Sequence, residues 1–114
     1  MQETLLICSK STRKYFPKIH NKIVVSGRLD QSHLKLPKTN SMVIAVGGGA
    51  VMDLAKLLAN GKLVCYPTTA SGACSTSHSV VWNGKNKTSI KTRKPDKVII
   101  NKDFITSVPV EVIE

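Results

Sequence analysis

VIAVGGGAVMD, residues 43–53, is the stretch that decides how this chain is read. Val43, Ile44, Ala45 and Val46 form an apolar run with no polar alternation, as expected of a strand buried on both faces. Gly47, Gly48 and Gly49 follow at once. Three residues without a Cβ let the chain turn tightly and let another molecule approach its backbone. Beyond them Val51, Leu54, Leu57 and Leu58 recur at helical spacing, which predicts a helix over residues 50–60 with those side chains on the sheet. A helix that opens out of such a turn aims unpaired N–H groups and a partial positive charge at one point, where a pyrophosphate fits. The spacing is neither the GxGxxG of dinucleotide folds nor the GxxxxGKS/T of phosphate loops. By itself the unit also reads as a tight structural turn.

Outward from this unit, strands alternate with short crossovers. Residues 4–8 (TLLIC), 22–26 (KIVVS), 41–46 (SMVIAV), 63–66 (LVCY) and 97–100 (KVII) read as buried strands. Residues 12–19 have room for one or two helical turns, interrupted by Pro17. Residues 28–40 are polar apart from Leu29, Leu34 and Leu36, which read as anchors in a segment with no assigned element. Gly61 reads as the helix stop after Asn60. Asn83-Gly84 favours positive φ and lies between two strand-like runs, 79–82 and 87–91, so a β-hairpin is predicted there. Residues 103–107 read as a short helix, and Pro109 suits the first turn of another. The expected architecture is α/β: a compact Rossmann-like domain with a mainly parallel sheet and a β-hairpin insertion.

The totals agree. With 114 residues, 41% apolar and 21% charged, the chain suits one globular domain, and with aromatics at 4% its core must be aliphatic. No apolar run approaches the roughly 20 residues that span a bilayer. The N-terminus places an acid before a short apolar run and lacks a small-residue cleavage site, which argues against a signal peptide. Cys8, Cys65 and Cys74 have no metal-ligand spacing, and Cys8 and Cys65 sit in apolar runs. Reduced thiols and a cytoplasmic location are the expectation. The net charge of +10 comes from scattered lysines not interleaved with aromatics. It reads as a solvated basic surface that attracts phosphorylated ligands, not as a nucleic-acid-binding stripe.

A second feature, PTTASG at residues 67–72, ends the strand that follows the helix. Ligands of open α/β sheets bind outside the carboxyl ends of strands, and paired hydroxyls there can bond ribose, phosphate or an amide. Threonine is also common at strand ends for purely structural reasons. The glycine turn upstream is what gives the pair its weight.

Three ordered segments, GGGAVMDLAK, YPTTASGACSTSHSVVW and KPDKVIINKDFITSVP, make the chain resemble one superfamily. It joins iron-containing alcohol dehydrogenases, glycerol dehydrogenases, glycerol-1-phosphate dehydrogenases and 3-dehydroquinate synthases. The likeness covers residues 41–109 and extends, less specifically, over residues 4–26. It implies an NAD(P)-binding domain over residues 1–109 and, from residues 110–114 onward, a helical metal-binding domain that this chain lacks. It places the cofactor pyrophosphate on Gly47, Gly48, Gly49 and Asp53, and the nicotinamide side near Thr68 and Thr69. The serine- and glycine-rich loop that follows points to Ser71 and Thr76. Many NAD-preferring relatives end the first strand with an aspartate that binds the adenosine ribose. Here Ser9 stands in that place, followed by Lys10, with Arg13 nearby. A hydroxyl and cations accept a ribose 2′-phosphate that a carboxylate would repel, so tolerance of NADP(H) is expected. The rival reading is that both cations are merely solvated.

The resemblance also implies Fe²⁺ or Zn²⁺ held by an acidic residue and histidines further along than this chain reaches. His20, His33 and His78 read as surface or loop residues, and Glu111 and Glu114 as first-turn helix residues, so no complete metal site is expected. The implied chemistry is hydride transfer between NAD(P) and a small alcohol or aldehyde, phosphorylated in some branches, with the metal polarising the oxygen. Little turnover is expected from this segment alone. Two alternatives remain. One is a carbon–oxygen lyase of the dehydroquinate synthase type, whose glycine-lysine-threonine motif is absent and whose Gly84-Lys85-Asn86 likeness the hairpin explains equally well. The other is a non-catalytic remnant that binds nucleotide, or a partner such as a second copy, through an exposed sheet face.

Overall fold

The apolar runs gather into a single parallel sheet in the computed structural model, which describes residues 4–69 and 76–100. Ser71, Cys74, the expected helix over residues 103–107 and Pro109 lie outside the described residues. The strands in chain order are β1 (Thr4–Cys8), β2 (Asn21–Val24), β3 (Met42–Gly47), β4 (Leu63–Pro67), β5 (His78–Asn83), β6 (Asn86–Lys91) and β7 (Lys97–Val98). Five of them lie in the order β2-β1-β3-β4-β7, with every neighbouring pair parallel. β5 and β6 form a separate antiparallel hairpin. Its turn carries Gly84 at φ 63°, the left-handed conformation that the Asn-Gly signal anticipated.

Strand periodicity divides the apolar residues between two faces. Ile7, Val43, Ala45, Leu63 and Cys65 face α1 (Gly49–Leu58), which carries the main core. Leu6, Cys8 and Val46 face the other way and are covered by Tyr15, Phe16 and Ile19, with Ile44 and Tyr66 packed beside them. The four helix residues expected on the sheet are all buried: Val51, Leu54, Leu57 and Leu58. Each such side chain contributes about 1.5–3 kcal/mol.

The helix is buried on its outer side as well as on the face that the apolar spacing places against the sheet. The hairpin lies across it, so Met52, Asp53 and Lys56 are also covered. The result is three layers: segment 13–19, the sheet, and the helix under the hairpin. Ser79 on β5 donates its hydroxyl proton to the carbonyl of Asp53 at 2.7 Å and ties the outer layer to the helix. On the inner side of the hairpin, Trp82 donates its amide to the carbonyl of Leu29, which is buried at 1% exposure.

Several local expectations are corrected. The helix ends at Leu58, and Gly61 does not cap it in a left-handed conformation. Gly61 is needed for closeness instead, because a Cβ there would collide with the carbonyl of Asn40. The last helical carbonyl, that of Leu58, accepts from the amide of Thr39 at 2.8 Å, and Arg93 donates to the carbonyls just beyond it, Gly61 at 2.5 Å and Ala59 at 3.5 Å. The KVII run is not a buried strand: only Lys97 and Val98 pair, with β4, and both are exposed. Among the described residues β7 is the outermost strand of the sheet, with β4 as its one neighbour. Of the three leucine anchors, Leu29 is buried and Leu36 packs against the core, but Leu34 is 38% exposed. The segment holding them contains a 3-10 helix, Gln31–Lys35. Asp30 accepts from Ser32 at 2.9 Å, and the His33 ring accepts from the amide of Asp30 at 3.0 Å. This reciprocal cap stabilises the start of the turn.

Candidate dinucleotide site

Strand order locates the site before any side chain is considered. From β1 the chain crosses to β2 on one side and then returns to β3 on the other. The crossovers diverge between β1 and β3, and the crevice outside the carboxyl ends of the strands at such a divergence is where open α/β sheets bind ligands. Ser9 leaves β1 at this edge, Gly47–Gly49 leave β3, and Thr68 and Thr69 leave β4.

The register brings these three exits together. Cys8 pairs with Val46, and Gly47 pairs with Pro67. The amide of Thr68 donates to the carbonyl of Gly47 at 2.9 Å. A Cβ built on Gly48 would lie 3.5 Å from Cγ2 and 3.6 Å from Oγ1 of Thr69, so the threonine side chain stands over the second glycine. Gly47 has no such room, since a Cβ there would come within 2.6 Å of Cγ2 of Val51. The first glycine is therefore required by packing against the helix. The second is bare toward the site.

α1 opens at this point with Gly48 as its N-cap in an extended conformation (φ −88°, ψ −159°), and no side chain caps it. The first-turn amides of a helix have no partner within the helix. They face the crevice along with the positive end of the helix dipole. A helix start whose backbone N–H groups have no Cβ in front of them at Gly48, with the Thr69 hydroxyl alongside, offers donors of the kind that bind a diphosphate.

The β1 side is organised around Thr12. This buried residue donates its hydroxyl proton to the carbonyl of Val46 at 2.7 Å and accepts from the amide of Ser9 at 2.9 Å. The turn after β1 is thereby fastened to the end of β3. The Ser9 hydroxyl lies 3.1 Å from that of Ser11 and 3.0 Å from that of Thr12. Lys10 and Arg13 are exposed beside it. Burial raises the pKa of the neighbouring Cys8 thiol, while Lys22 and Arg13 act in the opposite sense, which places positive charge around this strand end.

The sequence matches the iron-containing alcohol dehydrogenase family over residues 9–109. The chain belongs to that family. It is 32% identical over 89 residues to glycerol dehydrogenase 1 of Schizosaccharomyces pombe, an alignment covering 72% of this chain and 20% of that protein. It is 45% identical over 71 residues to a glycerol-1-phosphate dehydrogenase [NAD(P)+] of Pyrococcus furiosus, covering 58% of this chain and 20% of the relative. The crystal structure of the Schizosaccharomyces pombe glycerol dehydrogenase superposes with a TM-score of 0.68 at 22% identity, covering 96% of this chain and 34% of that one. Maleylacetate reductase from Rhizobium sp. strain MTP-10005 superposes with a TM-score of 0.72 at 14% identity, covering 98% and 38%. These superpositions show the same mainly parallel α/β fold. The chain thus spans a fifth to two-fifths of the length of the family members it matches.

In this family member the remaining candidates lie further from the glycine turn. Asp53 is one helical turn into α1 and nearly buried. One of its carboxylate oxygens accepts from the amide of Val80 at 3.2 Å, and the other lies 3.3 Å from Nζ of Lys56. Burial raises its pKa, opposed by the Val80 amide and by Lys56. The Thr76 hydroxyl accepts from Lys56 at 3.1 Å and donates to the carbonyl of His78 at 3.3 Å. Ser71 lies outside the described residues. His20 and His78 are exposed, and His33 serves the cap of the 3-10 helix. Among the described residues no three of His, Cys, Asp and Glu gather closely enough to hold a metal ion, and no helix is long and apolar enough to cross a membrane.

Sequence reading missed Lys56 and Thr12. An Asp–Lys pair three residues apart on one helix was a usable signal for the first. Nothing local marks Thr12, because its importance comes from a bond to a strand 34 positions away.

Proposed function

We propose that residues 1–109 form the NAD(P)-binding domain of an oxidoreductase acting on a small polyol or its phosphate, with residues 110–114 opening the next domain. The observation that carries this reading is the contact between the glycine turn at the end of β3 and the threonine pair at the end of β4, next to the divergence of the crossovers. Family membership and the glycerol and glycerol-1-phosphate dehydrogenases among its relatives support it.

In this reading the backbone amides of Gly47, Gly48 and Gly49 hold the cofactor diphosphate at the start of α1. Thr68 and Thr69 flank it toward the nicotinamide side, and Ser71 and Thr76 continue that wall. Ser9 meets the adenosine ribose, with Lys10 and Arg13 able to take a 2′-phosphate. Asp53, whose carboxylate oxygens are engaged by the Val80 amide and Lys56, holds the hairpin on α1 beneath the site and does not itself touch the diphosphate. The dinucleotide would supply a hydride acceptor or donor, and the family's Fe²⁺ or Zn²⁺ would polarise the substrate oxygen. We assign no ligand of that metal to residues 1–109.

Saturation-transfer NMR of NAD⁺ and NADP⁺ with the 114-residue chain tests this directly. Transfer to adenine and nicotinamide protons is expected. Its absence for both cofactors at about 1 mM, where a 4 kcal/mol interaction is already half-saturated, overturns the assignment.

A further inference from the structure

Among the described residues Lys56 is the largest side chain that is fully buried. Its ammonium lies 3.3 Å from Oδ1 of Asp53, 3.1 Å from Oγ1 of Thr76, and 3.3 Å and 2.5 Å from the carbonyls of Thr76 and His78. Taking an ammonium out of water is costly, and a Met or Leu would fill the same space without that penalty. Dinucleotide binding as described above makes no use of this lysine.

The explanation lies with Asp53. Its carboxylate joins two layers by accepting the amide of Val80, so β5 is tied to the helix. The same carboxylate sits four residues past Gly49, about 6 Å along the axis from the helix start. A bare negative charge at that depth opposes the positive potential on which anion binding at the helix start depends. The Val80 amide contributes no net charge. β5 otherwise brings the Ser79 hydroxyl and the carbonyl of His78, whose ring is exposed.

We propose that Lys56 is a positioning residue of the nucleotide site: it cancels the charge of Asp53 and so keeps the start of α1 attractive to a diphosphate. Asp53 holds the hairpin, and Lys56 corrects the field that this anchorage creates. The inference rests on the dinucleotide reading of the site.

The test is NADH affinity at pH 8 and low salt for the 114-residue chain and three variants, with circular dichroism to establish folding. Lys56→Met leaves Asp53 uncompensated and is expected to weaken binding about tenfold. Asp53→Asn keeps an acceptor for Val80 and leaves Lys56 as an unbalanced cation, so binding is expected to tighten about threefold. The double variant D53N/K56M is expected within about threefold of the unaltered chain. A double variant no better than Lys56→Met would mean that Lys56 merely pins Thr76 and His78, and the proposal fails. It fails equally if Asp53→Asn binds no tighter, an arm that decides the matter even if Lys56→Met does not fold. An unaltered chain that binds no NADH removes the dinucleotide reading itself, and this inference with it.

Discussion

The amide of Thr68 donates to the carbonyl of Gly47 at 2.9 Å, so the exits of two neighbouring strands are joined at one edge of the sheet. That bond places Thr69 over Gly48 and sets the two glycines apart in what they do. Gly47 is packed against Val51 and belongs to the fold, whereas a Cβ on Gly48 would meet only the Thr69 side chain, on the side of the proposed site.

Substitution separates these roles. Gly47→Ala forces its methyl group into Val51 and is expected to cost about 1–3 kcal/mol of stability. Gly48→Ala makes only ordinary contact with Thr69, so its stability should change by less than about 0.5 kcal/mol. Its methyl group fills the approach to the backbone amides, and NADH affinity should fall at least about tenfold. Urea denaturation and fluorescence titration of both variants check this. A Gly48→Ala protein that binds NADH normally would show that the turn is purely structural.

How far the sequence announced all this depends on the range of the interactions involved. The glycine turn, the helix face and the Asn83-Gly84 hairpin are written in consecutive residues, and each was recovered within a residue or two. The threonine pair was legible because a strand end next to a glycine turn has few other places to go. The covering of Asp53 and Lys56 was not, because a hairpin that starts more than twenty positions later decides it. Gly61 was misread for a related reason: the constraint on it is the backbone of Asn40, far off in the sequence. The exposure of β7 reflects its edge position, which no local pattern of apolar residues reveals.

In the proposed site Ser9 is expected to control the choice of cofactor. With a hydroxyl at the end of β1 and Lys10 and Arg13 exposed beside it, the chain is expected to bind NADPH at least as tightly as NADH. The NADPH preference should shrink as salt rises, because exposed cations are screened within about 8–10 Å. Ser9→Asp introduces a carboxylate opposite the 2′-phosphate and should turn the preference toward NADH by about tenfold or more. Parallel titrations with both reduced cofactors decide it. NADH bound far more tightly than NADPH by the unaltered chain would refute the assignment.

The two described cysteines should be unreactive in the folded protein. Cys8 and Cys65 have no exposed surface, and burial pushes the Cys8 thiol above its ordinary value of 9.0. Only the thiolate reacts, so both access and ionisation disfavour modification. Incubation with a disulfide reagent at pH 8, followed by peptide mass mapping, should find neither residue labelled until denaturant is added. Rapid labelling of Cys8 in buffer would show that the segment around Tyr15, Phe16 and Ile19 opens readily from the sheet.

Asp53 gives the fold a distinctive response to pH. Burial raises its pKa above the ordinary value of 3.8, and Lys56 and the Val80 amide do not fully offset this. The folded state therefore holds this proton more tightly than the unfolded state does. The resulting stability is fully present below pH 3.8 and is lost as pH rises through the folded value. Asp30 and Asp96 behave in the opposite way, because hydrogen bonds from Ser32 and from the amide of Leu63 lower their pKa values. What they contribute is present above 3.8 and disappears as pH falls through their folded values, although both are exposed and the effect is correspondingly small. Asp53→Asn should accordingly flatten the decline of stability above pH 3.8 and leave the acid limb unchanged. Urea midpoints measured at half-unit steps between pH 3 and 7 test this. A variant whose stability declines above pH 3.8 as steeply as that of the unaltered chain would show that the Lys56 pairing fully offsets the burial of Asp53.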